Sequence, residues 1–142
     1  MKTLKQLLQA KPLGVLSITP QATVFDALKL MAEKNVGALL VIDGGSLIGI
    51  MTERDYARKV ILKSKSSLDT PVREIMTDKV LCVQAEQSVE QCMGLMTDNR
   101  VRHLPVMEGG KLIGVLSIGD LVKETISEQE LTIKQLESYI HS

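Results

Sequence analysis

The sequence is poor in aromatic residues and histidines, and both shortages narrow its range of functions. Of 142 residues, only Phe25, Tyr56 and Tyr139 are aromatic. Because single-stranded nucleic acids usually stack their bases on several aromatic side chains, we do not expect this kind of binding. His103 and His141, the only histidines, do not have the spacing of metal ligands, and no nucleophile is paired with a base along the chain. We therefore predict a protein that is not an enzyme, with no catalytic residues and no metal site.

Cysteine is almost as scarce. Cys82 and Cys92 lie in apolar patterns and form no CxxC motif. Neither has an activating neighbour along the sequence. We expect both to be reduced residues of the core.

The sequence has no excess of either charge and no long apolar run. Lysine and arginine together number 17, as do aspartate and glutamate, so no net field attracts DNA or an anionic membrane. The longest apolar runs, such as residues 36–42, are far shorter than the roughly 20 residues that span a bilayer. Residues 1–11 lack the apolar stretch and cleavage site of a signal peptide. We expect a soluble, cytoplasmic protein.

What the sequence does contain is an internal repeat. Residues 15–56 align without a gap on residues 80–121, and their apolar, small and turn positions coincide. The clearest stretch is residues 44–50, Gly-Gly-Ser-Leu-Ile-Gly-Ile, which returns at 109–115 as Gly-Gly-Lys-Leu-Ile-Gly-Val. The chain therefore consists mainly of two tandem copies of one unit.

Each copy predicts the order strand, helix, strand, strand, helix. A short apolar strand precedes a helix that opens with a capping box, at Thr23 in the first copy and Ser88 in the second. Two strands joined by a Gly-Gly turn follow, and Pro105 suggests that the first of them begins outside the hydrogen-bonded ladder. A second helix opens at Thr52 or Ser117. The predicted fold class is α/β (α+β), with two β-α-β-β-α repeats.

Segment boundaries follow from this repeat. We assign residues 1–62 to the first repeat with an N-terminal segment, 63–79 to a polar linker, 80–123 to the second repeat and 124–142 to a C-terminal helical arm. A copy of about 60 residues buries only part of its apolar surface, so we expect the two copies to pack face to face around a central cleft.

The C-terminal arm contains its own helix-capping motif. Residues 127–130, Ser-Glu-Gln-Glu, form a capping box that predicts a new or kinked helix beginning there. Because an isolated helix of about 15 residues is marginal in water, the arm should dock on its own body or on a second subunit, or else fray. We expect a homodimer. The apolar residues that share one face of the arm are Ile126, Ile133, Leu136 and Ile140.

Both copies end their last strand with a hydroxyl residue followed three positions later by aspartate, at Thr52 and Asp55 and at Ser117 and Asp120. One interpretation is a capping box, which stabilises the helix by about 1 kcal/mol without any ligand. The other is a nucleotide site, because unpaired N–H groups at a helix start attract phosphate. The carboxylate would then hold a ribose diol, as in dinucleotide folds. The pattern alone leaves both open.

Positive charge is concentrated after the first motif. These side chains suit the phosphate groups of a ligand, but they are equally typical of a solvated helix face. They are Arg54, Arg58, Lys59, Lys63 and Lys65.

Taken together, these features resemble the cystathionine beta-synthase (CBS) domain, and the pair resembles the tandem arrangement called a Bateman module. The resemblance covers residues 12 to about 123. It implies a non-catalytic regulatory module that binds an adenosyl ligand (AMP, ADP, ATP, NAD or S-adenosylmethionine) in the cleft between repeats, without a catalytic cofactor, and that acts on a regulated partner protein. The matching elements are Thr23-Val24, Ser88-Val89, Leu104-Pro105-Val106, Leu47-Ile48-Gly49, Leu112-Ile113-Gly114 and the two hydroxyl-x-x-Asp ends.

The resemblance also implies two candidate sites. The first contains Thr52, Arg54, Asp55 and Arg58, with Lys79, Leu81, Val101 and Arg102 opposite. The second contains Ser117, Gly119, Asp120, Arg102 and His103, with Leu13, Gly14, Leu16, Val36 and Gly37 around the base.

The two copies differ in ways that leave the number of occupied sites open. Leu40 stands where the second copy has Pro105, and Gly37 and Ala38 stand where it has Arg102 and His103. His103 would contact a phosphate, sense pH or simply pack. The alternative function is a ligand-free module for dimerisation or protein docking, in which both motifs are only helix caps.

Overall fold

A computed structural model describes residues 2–11 and 14–141, which form two compact units. One unit comprises residues 15–80, and the other joins the N-terminal segment to the residues from 81 onward. The elements in chain order are α1 (Leu4–Ala10), β1 (Ser17–Ile18), α2 (Val24–Lys34), β2 (Ala38–Asp43), β3 (Ser46–Thr52), α3 (Glu53–Lys59), a 3₁₀ turn (Ile61–Lys63), α4 (Val72–Ile75), β4 (Val83–Gln84), α5 (Val89–Asn99), β5 (His103–Glu108), β6 (Lys111–Ser117) and α6 (Ile118–His141). The predicted strand and helix order is confirmed in both repeats.

Each unit contains one three-stranded sheet with the same topology. β2 lies between β1, to which it is parallel, and β3, to which it is antiparallel; β5 lies likewise between β4 and β6. The Gly-Gly turns explain the hairpins, since φ is +57° and +81° at Gly44 and Gly45 and +57° and +79° at their counterparts. Two consecutive positive φ angles define the type I′ turn, which matches the twist of paired strands and favours glycine.

In the first repeat α2 covers one face of the sheet, and in the second repeat α5 does so. Thr23 accepts a hydrogen bond from the Asp26 N–H at the start of α2, and Ser88 does the same for Gln91 at α5. One apolar face of each helix is buried, with α2 contributing Val24, Ala27 and Met31, and α5 contributing Val89, Cys92 and Met96.

Pro105 affects only one side of its strand. His103 and Leu104 are paired with Ser117 and Leu116 of β6, so β5 is laddered from its first residue and the prediction was wrong. In the first repeat, the Leu40 N–H donates to the Leu16 carbonyl at 3.2 Å. Pro105 has no N–H to donate at that position, so its effect is confined to the side facing β4.

The N-terminal segment lies with the second repeat, in contrast to our division of the sequence. Leu4 is fully buried in the second core, and its N–H donates to the Gln87 carbonyl at 3.3 Å. In the first unit, the equivalent position is occupied by part of the predicted linker. There the Val72 N–H donates to the Ala22 carbonyl at 2.8 Å. Val72 and Ile75 are fully buried, so α4 is part of the first core.

The arm is helical, as predicted, but it neither starts afresh nor breaks at Ser127. α6 runs continuously from the end of β6 for 24 residues. A capping box stabilises a helix only where backbone N–H groups lack helical partners, and inside a continuous helix those partners exist. The arm's apolar face is 50% to 74% exposed at Ile126, Ile133, Leu136 and Ile140. No helix among the described residues is long and apolar enough to cross a membrane.

Candidate functional site

The two hydroxyl-x-x-Asp motifs occupy the same place in the two units. Thr52 is the last residue of β3, and α3 begins directly after it; Ser117 is the last residue of β6, and α6 begins directly after it. Each aspartate therefore lies in the first turn of a helix, at the end of a sheet's edge strand.

Asp55 in the first unit is buried and fully engaged. Its Oδ2 accepts hydrogen bonds from the Thr52 N–H at 3.0 Å and the Thr52 hydroxyl at 3.1 Å. Its Oδ1 accepts from the Thr77 hydroxyl at 3.1 Å and forms an ion pair with the Lys59 ammonium at 3.0 Å. The residue is only 6% exposed. The contacts with Thr52 are those of a capping box, and Thr77 and Lys59 of the same unit engage the other oxygen.

Asp120 in the second unit is less enclosed. Its Oδ2 accepts from the Ser117 N–H at 2.8 Å and from the Lys11 ammonium at 2.9 Å, and its own N–H donates to the Ser117 hydroxyl at 3.2 Å. The side chain is 31% exposed. No hydrogen bond to Oδ1 comes from any part of the chain that the structure describes. This oxygen can accept a hydrogen bond from a ligand.

The surroundings of Asp120 keep it ionised. Burial raises the pKa of Asp120, but the Ser117 N–H, the hydrogen bond and charge of Lys11, and the Ser117 hydroxyl outweigh burial and hold the pKa below its ordinary value. Hydrogen bonds to a carboxylate favour its charged form, as does a nearby cation. Asp120 is thus a hydrogen-bond acceptor at neutral pH.

Backbone pairing brings the other predicted residues of the second site to Asp120. His103 is paired with Ser117 across β5 and β6, and the Arg102 carbonyl accepts from the Ile118 N–H at 2.8 Å. Gly119 follows in the first turn of α6 and is exposed. Five predicted residues are therefore grouped at this helix start: Arg102, His103, Ser117, Gly119 and Asp120.

At the first site, Arg54 and Arg58 lie on α3 and are exposed. Gly37 lies beside Thr52, and its carbonyl accepts from the Glu53 N–H at 3.1 Å.

The apolar residues predicted for the base pockets pack partly against their own cores. Leu16 and Val36 pack against the first core, and Leu81 and Val101 pack against the second. Gly14 and Lys79 are exposed. Leu13 falls outside the described residues.

Two lysines of the basic cluster after Thr52 are engaged in local contacts. Lys59 bridges Asp55 and the Ile75 carbonyl, to which its ammonium donates at 3.0 Å. Lys65 lies 3.6 Å from a Glu74 carboxylate oxygen. These contacts favour the interpretation of the cluster as a solvated helix face.

The sequence analysis missed Lys11. This residue lies 109 positions from Asp120 and precedes the aligned repeat, so the 65-residue offset gave no signal for it. The segment before it has a structural equivalent in the first unit, since Thr3 is bridged to Ser88 as Pro71 is to Thr23.

Neither cysteine has the environment of a reactive thiol. Cys92 is buried, as predicted, and burial raises its pKa to about 11. Cys82 is only partly buried, so the prediction of a core position holds for it in part; burial raises its pKa too. Both thiols remain protonated at neutral pH, and the thiolate is the nucleophilic form.

Known proteins are similar to this chain in sequence and in fold. A family model of the CBS domain matches the chain twice, at residues 10–62 and 72–127. The mitochondrial CBS domain-containing protein CBSX3 of Arabidopsis thaliana is 46% identical over 127 residues, which cover 86% of this chain and 62% of that protein. YhcV of Bacillus subtilis is 31% identical over 115 residues, covering 81% of both proteins. The chain spans less than two thirds of CBSX3, and 24% of two other Arabidopsis relatives.

Solved structures agree with this match. A protein with CBS domains from Burkholderia ambifaria is 56% identical, with a TM-score of 0.87 and coverage of 90% of this chain and 96% of that one. A hexameric CBS-CP12 protein from bloom-forming cyanobacteria is 31% identical, with a TM-score of 0.75 and coverage of 86% and 70%.

Proposed function

The chain belongs to the CBS domain family and contains two such domains in tandem, and we propose that it is a non-catalytic sensor that binds an adenosyl ligand through Asp120. The observation that carries this proposal is the difference between the two equivalent aspartates. At the start of a long helix, one carboxylate oxygen of Asp120 accepts no hydrogen bond from residues 2–11 and 14–141, whereas both oxygens of Asp55 are engaged inside their own unit.

The chemistry at Asp120 suits a ribose carrying a phosphate. An ionised carboxylate accepts hydrogen bonds from ribose hydroxyls, and the start of α6 has a partial positive charge that favours phosphate. The backbones of Arg102 and His103 lie beside the same helix start. AMP, ADP, ATP, NAD and S-adenosylmethionine are the candidate ligands, and all of them contain the adenosine that such a site would hold.

A second function is favoured by the exposed apolar face of α6. The face would mediate dimerisation or docking whether or not the protein binds a nucleotide. We propose that it pairs two copies of this chain, because Ile126, Ile133 and Ile140 recur every seven residues, as in helices that associate with each other. The regulated partner would then be a separate protein.

Thermal denaturation with the five candidate ligands, and with CMP as a ribose phosphate lacking adenine, tests the proposed function. A ligand that binds only the folded state adds about 2.7 kcal/mol of stability at a hundred times its Kd. For a protein of this size, this raises the melting temperature by several degrees. We expect at least one adenosyl compound to do so in wild type, and the same concentration to produce a clearly smaller rise in Asp120→Asn. If none does, the docking function is supported instead.

A further inference from the structure

Lys11 completes the environment of Asp120 from a distant part of the sequence. Its ammonium donates to the Asp120 Oδ2 at 2.9 Å and to the Val115 carbonyl at 2.8 Å. Its side chain is 28% exposed, so the residue is only partly enclosed.

The ammonium has one donor to spare. A lysine ammonium carries three N–H bonds, and the two contacts above account for two of them. The third has no acceptor among residues 2–11 and 14–141. It can therefore donate to an oxygen of a bound ligand.

The charge of Lys11 also changes which ligands can lie beside Asp120. An isolated carboxylate repels a phosphate that binds near it, because like charges a few ångströms apart interact unfavourably in a partly buried site. Lys11 compensates the charge of Asp120. Glu124, one turn further along α6, is compensated by Lys2, whose ammonium lies 3.5 Å from its carboxylate. The start of α6 is therefore close to neutral in spite of its two acidic residues.

We propose that Lys11 is a specificity-determining residue that makes the Asp120 site select phosphorylated adenosyl ligands over uncharged ones. The proposal rests on the proposed function and names its ligand class. Lys11 holds the carboxylate that binds the ribose and presents its remaining N–H and its charge to the phosphate.

The first unit offers a matched control. The Lys59 ammonium lies 3.0 Å from the Asp55 Oδ1 and donates to the Ile75 carbonyl at 3.0 Å, so it has the same two kinds of partner as Lys11. The carboxylate it contacts is saturated, however, and has no oxygen left for a ligand. A change at Lys59 should therefore leave ligand binding unaltered.

The experiment is a calorimetric titration of AMP and of adenosine into wild type, Lys11→Gln, Lys11→Arg and Lys59→Gln. Glutamine removes the charge and keeps an N–H donor on a side chain that is one atom shorter than lysine. Because a hydrogen bond to a charged group contributes about 1.5–3 kcal/mol, we expect Lys11→Gln to weaken AMP binding by roughly ten- to a hundredfold. Adenosine binding should change by less than about threefold, since adenosine has no phosphate to lose the contact.

Two controls separate this role from a structural one. Lys11→Arg should restore the preference for AMP because it restores the charge. Lys59→Gln should leave both affinities unchanged.

Equal weakening of AMP and adenosine binding in Lys11→Gln would overturn the proposal, since Lys11 would then only position Asp120. Unchanged AMP affinity would overturn it as well. If neither compound binds wild type, while ADP, ATP, NAD and S-adenosylmethionine also fail, the proposed function itself is wrong. If adenosine and AMP bind wild type equally, only the selectivity assigned to Lys11 fails.

Discussion

Gly114 in β6 lies directly against Leu8 of α1, so that a Cβ atom at Gly114 would be 2.6 Å from the Leu8 Cδ2. The same relationship recurs in the first unit, where a Cβ at Gly49 would be 2.6 Å from the Met76 Sδ. Each repeat thus uses a glycine to let a distant segment pack on its edge strand. We expect Gly114→Val to lower the free energy of unfolding by about 1–3 kcal/mol, the usual cost of overpacking.

Urea denaturation of Gly114→Val and Gly94→Val measures this effect. Gly94 lies on α5, where a Cβ atom would meet no other atom within 4 Å, and valine is no worse than glycine in a helix. Gly94→Val should therefore be neutral or slightly stabilising. Equal destabilisation by the two changes would show that the contact with Leu8 is not the cause.

The two aspartates should differ in what they contribute to stability. Asp55→Asn removes a buried acceptor of several hydrogen bonds and should cost about 1.5–3 kcal/mol. Asp120→Asn affects a more exposed group and should cost about 1 kcal/mol or less, as for a helix cap. Urea denaturation of both variants compares them. A cost at Asp120 equal to that at Asp55 would contradict the distinction between a structural and a ligand-binding carboxylate.

The sequence predicted those parts of the fold that depend on local patterns. The Gly-Gly turns and the apolar face beginning at Val24 depend on residues that are close together in the sequence. The hairpins and long helices were therefore predictable. The capping motifs were also visible. What they could not show is whether each carboxylate has an oxygen to spare, because that depends on Thr77 and Lys11, which come from elsewhere in the chain.

The wrong predictions have the same origin. The order in which segments fill a core is a long-range property, so Leu4 appeared to belong to the first repeat although it is buried in the second. The capping-box motif at Ser127 does not start a helix, because Ser127 lies inside the continuous helix that begins at Ile118. Motifs indicate which contacts are possible, and packing decides which are made.

Acid should reveal the contribution of Asp120. Because its pKa in the folded protein is below the ordinary value of 3.8, its ionised form stabilises the fold above that pH. This contribution is lost as the pH falls through the lowered pKa. The difference in unfolding free energy between wild type and Asp120→Asn should be constant near neutral pH and shrink below about pH 4. Urea titrations across this range check it, and a pH-independent difference would be inconsistent with the lowered pKa.

The exposed face of α6 should hold two copies together. Ile133 lies in the middle of this face and is 54% exposed in the single chain, so Ile133→Lys should not disturb the fold. A charge placed in the seam between two helices should dissociate them. Sedimentation equilibrium should give about twice 15.6 kDa for wild type and 15.6 kDa for Ile133→Lys.

Ser138→Lys is the control for the arm, since it adds the same charge to an exposed position away from the apolar face. It should sediment like wild type. A wild-type protein that sediments as a monomer at micromolar concentration would rule out pairing through α6, as would a dimer that persists in Ile133→Lys.

The most direct test of ligand binding at Asp120 is a calorimetric titration of wild type, Asp120→Asn and Asp55→Asn with AMP. We predict about one AMP bound per wild-type chain and a loss of affinity of roughly tenfold or more in Asp120→Asn, as expected for a charged hydrogen bond. Folded Asp55→Asn should bind AMP as wild type does. Binding of AMP to Asp120→Asn with unchanged affinity would contradict the proposal that Asp120 binds the ligand.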